Sequence, residues 1–189
     1  MSATTQQPVL RTDRLILRPW EDADLPLVAE ITSDPEVMRH FHITRERSQS
    51  DAWVARTQAH IDKNGFGVLA VEAPGLAKLI GFVGLSIVPD KIPCAPAVEA
   101  VWTLGSHWWR QGFCTEAAQA VLRDGFARLG LSEIVAMTAE KNEASRSVMQ
   151  KLGMKRDISA DFGHPFVPEN HAMHRHVLYR LARPAGVKL

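Results

Sequence analysis

Residues 107–122 read HWWRQGFCTEAAQAVL, two tryptophans and a lone glycine running into helix-forming residues. A strand that passes through a glycine-containing turn into a helix leaves backbone amides pointing outward at the helix N-terminus. There they and the helix dipole favour an anion such as a phosphate. Gly112 has no Cβ to block close approach, Cys114 is small, and Arg110 adds a fixed positive charge beside the turn. A lone glycine equally serves to make a tight turn with no ligand, and the local pattern leaves both roles open. Histidines are the other group with chemical potential. His174 and His176 would share one strand face near His171, but no cysteine joins them and no carboxylate ligand is marked, so no metal is expected.

The turn needs a strand before it and a helix after it, and the flanking sequence supplies both. AVEAVWTLG (97–105) is β-rich. After the turn Ala118, Val121, Leu122, Gly125, Phe126 and Leu129 form one apolar helical stripe that ends near Gly130. Upstream, RLILRPW (14–20) suits a short strand stopped by Pro19. DADLPLVAEI reads as a helix with Asp22 as N-cap, and SQSDAWVARTQAHIDKNG as a helix with Trp53, Thr57 and Ile61 at spacing four and a Gly65 stop. FGVLAVEA (66–73) and KLIGFVGLSIV (78–88) join 97–105 in an antiparallel meander across Gly/Pro loops. EIVAMTA (133–139) is an apolar strand, and NEASRSVMQKLG (142–153) a short helix with Asn142 as N-cap and Ala144, Val148 and Leu152 inward. MKRDISADF and MHRHVLYRLA supply two further strands around GHPFVPENHA, which completes an α/β layer with a mixed sheet.

Three stretches, LRTDRLILRPWEDADL (10–25), VEAVWTLGSHWWRQGFCTEAAQAVLRDGFARLGL (98–131) and MTAEKNEASRSVMQKLGMKR (137–156), stand in an order that resembles the GNAT acetyltransferase superfamily. Within it the chain is similar to the branch of ribosomal-protein N-terminal acetyltransferases. The resemblance implies an α/β (α+β) fold with a mixed, mostly antiparallel sheet of about six to seven strands and helices on both faces. It also implies acetyl-CoA as co-substrate. The pyrophosphate would meet the backbone of Arg110, Gln111, Gly112, Phe113, Cys114 and Thr115, and the pantetheine arm would pair with Trp102, Thr103 and Leu104. Asn142, with Ser145 nearby, would also touch the cofactor, a role compatible with capping a helix. Two residues depart from the family's turn. Trp109 replaces a common Gln or Arg but is familiar in this branch, and Cys114 replaces Gly or Ala, where it reads as a packed bystander.

The chemistry implied is attack of a neutral amine on a thioester. A lysine amine near pKa 10.4 is mostly protonated at neutral pH, whereas an α-amine at about 7.7–8.0 is partly neutral, so a base helps in either case. The resemblance puts Glu99 in that role, acting through water. The alternative for Glu99 is an edge carboxylate paired with a basic neighbour. The tyrosine acid frequent in the family is replaced by Met149, and Tyr179, the chain's one tyrosine, lies in the last strand, so no tyrosine acid is expected. His40 and His42, in MRHFHI, fall where the fold lines the acceptor pocket, and the five tryptophans read as core and rim packing.

Composition sets the outer bounds. The 189 residues suit one acetyltransferase domain (1–189) with a flexible start over 1–9. No apolar run is long enough for a bilayer span, and Met1 to Leu10 lacks the basic head and apolar core of a signal peptide. Two cysteines form no disulfide framework, which fits a cytoplasmic protein, and a net charge of +1 gives no pull toward nucleic acid. The acceptor is expected to be a small-molecule amine or a protein N-terminus. Exposed C-terminal strands allow a homodimer. A non-catalytic acyl-CoA-binding module is the alternative from another class.

Overall fold

The computed structural model describes residues 9–185. The first described element is a hairpin, β1 (Leu10–Arg11) against β2 (Ile16–Arg18), whose turn is tied by the Thr12 N–H donating to the Leu15 carbonyl at 3.0 Å. Pro19 ends β2 as expected. The next helix starts later than its sequence suggests. A 3-10 turn at Asp22–Asp24 is capped by Glu21, not Asp22, and α1 covers Leu25–Ser33. Asp24 is drawn inward because it meets the Arg18 guanidinium at 2.7 and 2.9 Å. A short α2 (Pro35–Met38), capped by the Asp34 side chain, precedes α3 (Arg47–Asn64), which stops at Gly65 with φ +72°.

Strands β3 (Val68–Ala73), β4 (Ala77–Ile87) and β5 (Val98–Leu104) form the antiparallel meander, with β2 on its outer edge. After β5 come α4 (Phe113–Ala127), β6 (Glu133–Ala139) and α5 (Glu143–Lys151), then the two-residue β7 (Lys155–Arg156) and β8 (Phe162–Gly163), and β9 (Arg175–Ala182). The sheet order is β1-β2-β3-β4-β5-β6-β9-β7, with β8 also on β9, and only β5–β6 is parallel. Among the described residues the sheet has nine strands against the six to seven expected: β1 adds one, and the stretch MKRDISADF, read as a single strand, is broken by a 3-10 turn at Ile158–Ala160 into β7 and β8. Pairs that short carry no alternation to read.

Helices cover both faces. Phe113, Ala117, Ala118, Val121, Leu122 and Phe126 of α4 pack on Leu15, Leu17, Leu69, Val71, Val83, Leu85, Ala100 and Leu104. Val28, Ile31, Val37, Met38 and Val54 of α1–α3 pack on Val68, Ala70, Leu79 and Phe82 on the other side. In α3 the buried stripe is Ser50, Val54, Thr57 and Ile61, while Trp53 lies half-buried with its ring 4.6 Å from Phe82. In α5 the buried residue is Met149, packed on Ala136, Val177 and Tyr179, and Ala144 faces solvent instead of the core. Among the described residues no helix is long and apolar enough to cross a membrane.

Candidate active site

The central event of the fold is the parting of β5 from β6. The two strands share a single registered pair, Glu99 with Val135. Beyond it the C-terminal half of β5, Val101 to Leu104, keeps β4 on one side and faces a gap on the other. A strand hydrogen-bonds through alternate residues to each neighbour, so its outward amides and carbonyls there are available to a ligand. Trp102, Thr103 and Leu104 border this gap, although the Leu104 carbonyl accepts the Trp109 indole N–H at 2.9 Å. Trp109 thus closes the strand end, and Arg39 lies 5.5 Å from its ring.

The chain then passes through a 3-10 turn, Ser106–Trp108, into the turn that the sequence singles out. Arg110 has φ +61° and Gly112 φ +83°; Arg110 is the one non-glycine residue with positive φ among those described. Two left-handed residues flanking Gln111 fold successive amides toward one side, the concave arrangement that binds anions. The N–H groups of Arg110, Gln111, Gly112, Phe113, Cys114 and Thr115 meet no acceptor among the described residues, and Glu116 is the first whose N–H does, donating to the Gly112 carbonyl at 3.0 Å. A Cβ at residue 112 would meet an Arg14 guanidinium nitrogen at 3.2 Å in a backbone conformation that side chains rarely adopt. Gly112→Ala is therefore expected to distort the turn and to lower the melting temperature by a few degrees, read by scanning calorimetry. Cys114 faces inward, and burial pushes its thiol up to about 12, which keeps it protonated and unreactive.

Glu99 stands where the strands part. Alternation places it on the same face as Val101, which packs toward the α1–α3 cluster and away from α4. Its carboxylate has no hydrogen-bond or ion-pair partner among the described residues. Arg180, in register with Val135, is engaged with Asp157 and Glu133 at 2.8 Å each. The side chain keeps some solvent contact while protein atoms crowd the carboxyl, and burial pushes its pKa up to about 7. The structure therefore does not hold the paired edge carboxylate that was the alternative. On the far side of the gap Asn142 caps α5: its Oδ1 accepts the Ser145 N–H at 3.1 Å, and its amide donates to the Thr138 hydroxyl at 3.0 Å. One lone pair and one N–H of that amide are left over.

The family model for the acetyltransferase (GNAT) domain matches residues 14–155. The chain belongs to the GNAT acetyltransferase family. YoaA of Bacillus subtilis (strain 168), an uncharacterized N-acetyltransferase, is 32% identical over 152 residues, 79% of this chain and 84% of its own. The fold is that of a GNAT-family acetyltransferase from Bacillus anthracis, at TM-score 0.77 and 24% identity over 93% of this chain and 98% of that one. It is also that of RimL, a ribosomal L7/L12 alpha-N-protein acetyltransferase in complex with coenzyme A, at TM-score 0.73 and 12% identity over 93% and 98%. This chain is accordingly an acetyltransferase enzyme.

The GNAT acetyltransferase carries a histidine cluster that its sequence shows only in pieces. The His164 and His176 rings lie 4.5 Å apart beside Phe162, and His42 and His174 are close enough to act on His164 electrostatically. Burial, with these neighbours, lowers His164 to about 4, and burial also lowers His176. His42 thus stands near His164 and His176, whose imidazoles burial keeps uncharged at neutral pH. His40 lies apart, accepting from Arg39 at 3.2 Å, and His171 accepts the Met173 N–H in a turn. Among the described residues no group of three or more His, Cys, Asp or Glu could hold a metal ion. Sequence reasoning missed His164 and Phe162, which only the β8–β9 pairing brings to His176. It also missed Thr12, Arg14 and Glu116, although the first two stand in the LRTDRLILRP stretch that carries the family resemblance.

Proposed function

We infer that this GNAT acetyltransferase moves an acetyl group from acetyl-CoA to a primary amine by direct attack in a ternary complex. The observation that carries this reading is the desolvated, unpaired Glu99 carboxyl at the point where β5 and β6 part. The six N–H groups from Arg110 to Thr115 that meet no acceptor among the described residues suit a pyrophosphate, and the gap-facing backbone of Trp102 and Leu104, on either side of Thr103, whose own amide and carbonyl turn to β4, suits the amides of a pantetheine arm. The N–H of Leu104 serves there, its carbonyl being engaged by Trp109. Asn142, with Ser145, offers its spare hydrogen-bonding capacity at the start of α5. Acetyl-CoA supplies the activated acetyl group.

Glu99, a base with pKa about 7, is roughly half ionised at neutral pH, matched to taking a proton from an α-ammonium of pKa about 8 through water. The amine nitrogen then bonds the carbonyl carbon, backbone amides of β5 stabilise the oxyanion, and the carbon–sulfur bond breaks. The thiolate, with a conjugate pKa near 8.5, leaves without an acid in place and then takes up the second proton that the amine nitrogen sheds. Tyr179 is buried among Ala136, Met149, Met154 and Val177, on the opposite face of the sheet from Glu99, so the tyrosine and the base do not share a side.

The acceptor enters on the Glu99 face, between the loop after α2 that carries His42 and the β8–β9 hairpin. A protein N-terminus is the acceptor class that the RimL likeness suggests, and a small amine is the second candidate. Thiol release from acetyl-CoA, measured against small amines, amino acids and N-terminal peptides, is expected to show turnover with one of these classes. Acetyl-CoA binding with no transfer to any acceptor would overturn the reading in favour of a binding module.

A further inference from the structure

The hairpin of β1 and β2 reaches across about a hundred residues of chain to grip the start of α4. The Arg14 guanidinium makes a fork with Glu116, Nε to Oε2 at 2.7 Å and Nη2 to Oε2 at 2.6 Å, and the Arg14 N–H donates to Oε1 at 3.0 Å. The Thr12 hydroxyl donates to the same Oε1 at 2.6 Å. The guanidinium also lies 4.4 Å from the Phe113 ring, and its Nη1 donates to the Gln111 carbonyl at 3.0 Å.

Two consequences bear on the turn. A trans peptide is planar with its C=O and N–H opposed, so holding the Gln111 carbonyl toward Arg14 turns the Gly112 N–H the other way, toward the free amides. Glu116 is a carboxylate in the first turn of a helix whose N-terminus would receive an anion, and unneutralised it would repel one. Burial alone would raise the Glu116 pKa, but the Thr12 hydroxyl and Arg14 outweigh it and hold the carboxyl below its usual range. It is therefore ionised and needs a counter-charge. The Gln111 side chain is pinned as well, its amide donating to the His107 carbonyl at 2.9 Å.

We propose that Arg14 is a positioning residue for the pyrophosphate turn: it orients the Gln111–Gly112 peptide and cancels the Glu116 charge, so that the amides of residues 110–115 face an anion unopposed. This rests on the reading that the turn binds the pyrophosphate of acetyl-CoA. Arg14→Ala is expected to raise the calorimetric Kd for acetyl-CoA about tenfold, and Arg14→Lys about threefold, since Lys keeps the charge and loses the fork. Adding Glu116→Gln to Arg14→Ala should recover about half or more of that loss in affinity, because the repelling carboxylate is gone. Turnover of S-acetylpantetheine, which lacks the pyrophosphate, should change less than about twofold in Arg14→Lys, a readout that general loosening of the fold would not spare.

An unchanged Kd in Arg14→Ala, or a double variant no better than Arg14→Ala, would overturn the proposal; the latter would show that Arg14 acts by touching phosphate itself or by holding the fold. Failure of the unaltered protein to bind acetyl-CoA is a separate result that removes the parent reading as well.

Discussion

Glu99→Gln is expected to lower kcat/KM by about 10²–10⁴-fold near pH 8 while leaving the acetyl-CoA Kd within about twofold, the size of effect a positioned general base supplies. The unaltered enzyme should show kcat/KM rising with pH through a limb near the Glu99 pKa of about 7, and the variant should lose that limb. Stability moves in the opposite direction. An acid whose pKa is raised on folding, from an ordinary 4.5 to about 7, leaves the folded state holding more protons than the unfolded chain between those values. Stability therefore falls as pH rises through that window and stays lowered above it. At pH 8 Glu99→Gln is expected to stabilise the protein by on the order of 1–3 kcal/mol, less than the full shift implies because the side chain retains some solvent contact. Urea unfolding at pH 5 and pH 8 checks the sign. A variant that is inactive but no more stable at pH 8 would mean that Glu99 is not the desolvated base proposed above.

Arg18→Ala should cost about 3–5 kcal/mol of stability, the typical effect of leaving one partner of a buried ion pair alone. Arg18 binds Asp24 through both terminal nitrogens and Glu72 through Nε at 3.0 Å. It also donates to the carbonyls of Pro19 at 3.2 Å and Lys78 at 3.0 Å. Asp24 is 1% exposed, so its carboxylate cannot recover hydration when the arginine goes. Arg18→Lys should recover only part of the loss, since an ammonium cannot span the same set of acceptors. The check is denaturant unfolding at neutral pH, and a loss below about 1 kcal/mol would show that water reaches Asp24 after all. Because this network joins β2, β3 and the entry to α1, the variant should also loosen the α1–α3 wall on the Glu99 side and raise KM for the acceptor.

Much of the architecture was legible before any tertiary contact was known. The strand at 133–139, the Gly65 stop and the apolar stripe of α4 follow from periodicity and turn chemistry, which act over a few residues. The glycine turn was legible too, but not the left-handed Arg110 beside it, since arginine carries no local signal for positive φ. The cap falls at Glu21 and not at Asp22 because Asp24, held inward by Arg18, accepts the Glu21 N–H at 2.9 Å. In α5 Leu152 packs inward as its spacing predicts, but Ala144 does not and Met149 does, because which side of a short helix turns inward depends on what it meets, here Ala136, Val177 and Tyr179.

By itself the sequence determined the order of elements, the turn ahead of α4, the family resemblance and Glu99 as the carboxylate of interest. Only the tertiary structure decided that Glu99 has no partner among the described residues, that β5 leaves β6 just beyond it, that His42 comes near His164 and His176, and that Arg14 pairs with Glu116. The physical reason is separation along the chain. Helical and strand periodicity is written within a few residues, whereas Arg14 and Glu116 stand 102 apart, and the β5–β6 gap depends on a single registered pair between strands joined through a whole helix. Such pairings are chosen by which faces pack together, and no local stretch of sequence contains that choice.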